Sequence, residues 1–67
     1  MTASKAKQAL NDGLKITHRF MEEYEWVREK TATTLVFEDG IEVDKKEFWD
    51  LRQSPEWKKN WSIFTQK

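Results

Sequence analysis

Cysteine is absent from all 67 residues, which takes disulfides and the common zinc frameworks away from a chain that needs stabilising. With only two glycines, no Gly-rich phosphate loop can be drawn, and no serine or lysine stands in a recognisable nucleophile setting. Long apolar runs are missing as well. No stretch of about eighteen apolar residues exists and the opening MTASKAKQ lacks an apolar h-region, so neither a membrane span nor a signal peptide is readable. Net charge is missing too: twelve basic and twelve acidic residues cancel, leaving no strong field directed at nucleic acid or an anionic membrane. A soluble, cytoplasmic protein is the expectation.

Aromatic residues are plentiful, 13% of the chain with four tryptophans. Each buries on the order of 150–250 Å², and a chain of this size buries only roughly 60% of its unfolded surface. The aromatics are therefore the expected core. Charge is uneven locally: residues 1–30 carry six basic and five acidic groups, 31–44 four acidic and none basic, and 45–67 six basic and three acidic.

Residues 4–30, after a frayed 1–3, read as one amphipathic helix. Ala6, Ala9, Leu10, Leu14, Ile16, Thr17, Phe20, Met21, Tyr24 and Val27 share a broad arc at helical spacing, with Lys7, Lys15, His18, Arg19 and Glu22 opposite. Asn11-Asp12-Gly13 is also a turn signal that could split off a short first helix. The unbroken helix is preferred, with Gly13 kept for close backbone approach. TTLVFEDGIEV, 33–43, reads as a hairpin. A three-residue loop Glu38-Asp39-Gly40 with Gly40 left-handed places Leu35 opposite Val43 and Phe37 opposite Ile41, gathering the apolar side chains on one face.

Asp44 opens a helix at 45–53 through the capping-box pattern DKKE. Ser54-Pro55 closes it and starts a last helix at 55–65, on which Trp57, Trp61 and Phe64 fall within about 60° of one another and read as core. The expected fold is thus α+β in the order α-β-β-α-α, a single domain over 4–67: a long N-terminal helix, a two-stranded antiparallel hairpin and two short C-terminal helices.

Chemistry is sparse in this pattern. His18 and Glu22, one helical turn apart, offer two metal ligands at most, and His18 reads as a solvated side chain. Adjacent carboxylates such as Glu22–Glu23 sit where water sets their behaviour. No catalytic residue, metal ligand or cofactor is expected. The reading is a small non-catalytic protein-interaction module, an adaptor, inhibitor or assembly subunit of the kind that phage or regulatory genes often encode. Trp26, Trp49 and Ile63 are the anchors left outside the core, and Arg52, Lys58 and Lys59 the rim charges. A homodimer through the long helix is compatible with so thin a core. The second choice is a DNA- or RNA-binding protein using the basic, aromatic C-terminal helices. The acidic hairpin tip, Glu38, Asp39, Glu42 and Asp44, reads as a soluble turn whose charges discourage edge pairing.

Overall fold

Thr2 starts the first element: its hydroxyl accepts from the backbone N–H of Lys5 at 3.2 Å, capping α1, Ala3–Asn11. In the computed structural model, which describes residues 1–65, α1 runs for only 9 residues. Gly13 stops it. With φ at +84°, Gly13 donates its N–H to Leu10 O at 3.0 Å while Leu14 N–H reaches Ala9 O at 3.0 Å, the paired bonds of a Schellman terminus. A Cβ built on Gly13 would meet nothing within 4 Å. Its handedness, and not the close approach expected from the sequence, is what the position requires.

The chain then forms four short strands, β1 (Ile16–His18), β2 (Val27–Glu29), β3 (Thr34–Phe37) and β4 (Glu42–Asp44). A helix α2 (Lys45–Asp50), a 3-10 turn (Pro55–Lys58) and a last strand β5 (Trp61–Ile63) follow. The strands make one five-stranded antiparallel sheet in the order β4-β3-β2-β1-β5. After β4 the chain crosses to the far edge, where β5 pairs with β1 through Ile16–Ile63, Thr17–Ser62 and His18–Trp61. Met1 binds the outer side of β5, its nitrogen donating to Trp61 O at 2.6 Å and its carbonyl accepting from Trp61 N–H at 3.1 Å.

The long helix over 4–30 is thereby corrected to α1 and two strands. Ile16, Thr17, Phe20, Tyr24, Trp26 and Val27 are β-branched or aromatic, types that favour a half-buried pleated surface. An arc broad enough to hold ten residues also hid their alternation. Likewise the hairpin is not isolated. It supplies β3 and β4 of the larger sheet, with the expected register of Leu35 opposite Val43 and Gly40 at φ +90°. The helix expected at 45–53 ends at Asp50, and the one expected at 55–65 is a single 3-10 turn followed by β5. Asn60, at φ +71°, breaks the helical path there. Asn adopts this left-handed conformation more readily than other side chains, and β1 supplies Trp61–Ile63 with a pairing partner. Residues 66 and 67, the end of the expected 4–67 domain, lie outside the described residues.

Asp44 caps α2 as expected, accepting from Lys46 N–H at 3.1 Å and Glu47 N–H at 3.3 Å. The reciprocal bond from Glu47 is not among the hydrogen bonds of the described residues. Ala6, Leu10, Ile16, Val27, Leu35, Phe48 and Trp61 form the buried core between the helices and the sheet. No described helix is long and apolar enough to cross a membrane.

Candidate protein-contact surface

Trp61 is 2% exposed and connects two aromatic regions. On one side it meets Trp49 with ring centroids 5.2 Å apart, and Trp49 meets Phe48 at 5.0 Å. On the other it meets Trp57 at 5.7 Å, with its indole N–H donating to Trp57 O at 2.8 Å. The i, i+4 relation read as a helix is realised by this single bond across the 3-10 turn.

His18 fixes the second region. It is 3% exposed, a correction to the solvated histidine expected from the sequence. Its ring stacks on Trp57 at 4.1 Å. Nε2 lies 2.9 Å from Glu56 O and 2.7 Å from Lys59 O, so it carries the hydrogen and donates, while Nδ1 accepts from Phe20 N–H at 3.0 Å. One imidazole thus ties β1 to the turn before β5. Phe20, carried out of β1 beside this ring, packs edge-to-face on Trp57 at 5.3 Å and is 56% exposed.

Arg52 completes the row. Its guanidinium lies over Phe48 at 3.9 Å and faces Trp57 at 5.0 Å, and Nη1 donates to Phe48 O at 3.0 Å. Nε is buried without a hydrogen-bond partner, and Arg52 makes no ion pair among the described residues. Burial pulls the guanidinium below its ordinary pKa: desolvation disfavours the cation and no carboxylate compensates. Leu51, next to it, is 73% exposed. The chain bends at the end of α2, with Arg52 N–H bonding to Trp49 O at 3.0 Å. Lys58 and Lys59 are exposed on the same C-terminal segment.

The other sequence-derived candidates are dispersed. Trp49 lines a groove of about 490 Å³ between α1 and α2, with Lys7, Leu10, Glu29, Lys45 and Lys46, and Lys7 Nζ lies 4.9 Å from the Trp49 ring centroid. Lys45 is ion-paired with Glu29. Trp26 is half-buried just before β2, 6.4 Å from Phe64 and with Lys15 Nζ 4.2 Å from its ring centroid. Ile63 sits on the edge strand opposite Ile16. Arg52, Lys58 and Lys59 thus lie on one stretch of chain around Trp57, while Trp26, Trp49 and Ile63 lie on other segments. The structure adds Phe20, Leu51 and Trp57. Alternation along Ile-Thr-His-Arg-Phe was the available signal for Phe20, since period two sets Ile16, His18 and Phe20 on one side.

Comparison of the chain with protein-family models, with curated proteins and with solved structures finds no match.

Proposed function

We propose that the chain is a non-catalytic, cytoplasmic interaction module that works by binding protein through the row Phe20–Trp57–Arg52, with Leu51 beside it and Lys58 and Lys59 at its rim. The observation that carries this reading is Arg52, a cation stacked between two aromatic rings without a carboxylate partner. A partly desolvated charge without a carboxylate to pair with is costly to a fold, and a partner's acidic group would supply what the chain lacks. Tryptophan and arginine are also the side chains that most often dominate protein contacts. The reading suits an adaptor, inhibitor or assembly subunit. Of the two C-terminal helices on which the nucleic-acid alternative was built, the first is shortened to α2 and the second is a 3-10 turn followed by β5.

The test is capture by immobilised protein, offered a native cell extract and, separately, a free tagged copy of the chain. Wild type should retain a protein in at least one arm, and Arg52→Met should lose it while staying folded. Equal retention by Arg52→Met would overturn the reading. Retention abolished by nuclease would move it to nucleic acid, where loss with added salt should be steep.

A further inference from the structure

The surface around Trp57 is built from two segments of opposite charge. The β1–β2 loop, residues 19–26, carries Glu22, Glu23 and Glu25 against Arg19, while residues 51–60 carry Arg52, Lys58 and Lys59 against Glu56. Counting each side, 1 − 3 = −2 for the loop and 3 − 1 = +2 for the turn segment. The two adjoin where Phe20 packs on Trp57. Yet no ion pair joins them among the described residues, whose ion pairs, Lys30–Glu42 and Lys45–Glu29, involve other segments. The apolar groups on these segments are open as well: Phe20 is 56%, Tyr24 64% and Leu51 73% exposed.

Adjoining segments that carry opposite charge excesses can match themselves after a two-fold rotation, as an isologous contact requires. We infer that the protein bound at this surface is a second copy of the chain, each acidic loop lying against the basic turn of the other copy with Phe20, Tyr24 and Leu51 between them. Zero net charge on the whole chain removes general repulsion between copies, so local complementarity decides the orientation. A standard contact buries about 800 Å² on each partner, a modest part of the 4705 Å² exposed by the described chain. The inference rests on the protein-contact reading above and names its partner. It replaces the dimer through a long helix, an element the chain does not possess.

Sedimentation equilibrium over a range of concentrations, at low and high salt, is the experiment. Wild type should reach twice the chain mass at low salt and dissociate more readily at high salt. The double variant Glu22→Lys, Glu23→Lys and the double variant Lys58→Glu, Lys59→Glu should each sediment as monomers. Mixed in equal amounts, they should recover the doubled mass, a rescue that misfolding of either protein cannot produce. Circular dichroism establishes that each is folded. A constant monomer mass for wild type, or a doubled mass untouched by both reversals, would overturn the dimer. If wild type stays monomeric yet still captures an extract protein in an Arg52-dependent way, the dimer fails and the contact surface stands. If wild type is monomeric and captures nothing, both fail.

Discussion

The groove holding Trp49 and the row holding Trp57 flank one buried indole, and each sets a cation near a tryptophan ring: Lys7 at 4.9 Å from Trp49 and Arg52 at 5.0 Å from Trp57. They differ in how charge is treated. In the groove Lys45 is neutralised by Glu29, and Asp50 lines the same wall. Along the row Arg52, Lys58 and Lys59 make no ion pair among the described residues, and Arg52 is also desolvated. An aromatic ring beside a cation is common to a packed seam and a contact surface. Whether the cation has been taken out of water is what separates the two: Lys7 is exposed, whereas the Arg52 guanidinium is desolvated with Nε unsatisfied.

Removing the shared support should have the largest effect. Trp61→Ala takes the ring from both regions and should cost about 3–5 kcal/mol, enough to abolish cooperative thermal unfolding in so small a chain. A folded Trp61→Ala protein would show that the two regions are supported independently. His18→Phe tests the row alone. It leaves Phe20 N–H and the Glu56 and Lys59 carbonyls without their partner, and about 1–3 kcal/mol should be lost in urea titration. Dispersion of the Trp49 indole resonance should persist while that of Trp57 collapses. Arg52→Met should change the melting temperature little, because loss of the Nη1–Phe48 O bond is offset by removal of a partly desolvated cation that has no carboxylate partner, and the stacking volume stays, yet it should abolish capture. A large drop in melting temperature would make Arg52 structural. Lys7→Ala, in the groove, should change stability by less than about 0.5 kcal/mol and leave capture intact; a loss of capture there would reverse the comparison.

Signals confined to a few neighbouring residues were legible in the sequence. Asp44 as a cap, Gly40 as a left-handed turn residue and the Leu35–Val43 register are all local choices. What escaped depends on distant partners. Ile16–His18 becomes a strand because Val27 lies on one side and Trp61–Ile63 on the other, and a three-residue strand has too little periodicity to show that by itself. Gly13 was visible as a turn signal, but the apolar arc continuing past it outweighed a signal that decides the whole N-terminal half. Of the candidate contact residues, Arg52, Lys58 and Lys59 share a segment. Trp26, Trp49 and Ile63 were grouped only as apolar remainders of three separate expected helices, and nothing in the sequence tied their positions together.

The sheet order also has a consequence for kinetics. α1 and the β3–β4 hairpin join residues close in sequence and can form early, whereas β5 pairs with β1 across most of the chain. Long-range closures of this kind dominate the time taken to fold. Trp61 travels with β5, and the junction between the two aromatic regions is assembled only when that strand arrives. Neither the groove nor the row can take its final form in a folding intermediate that lacks it.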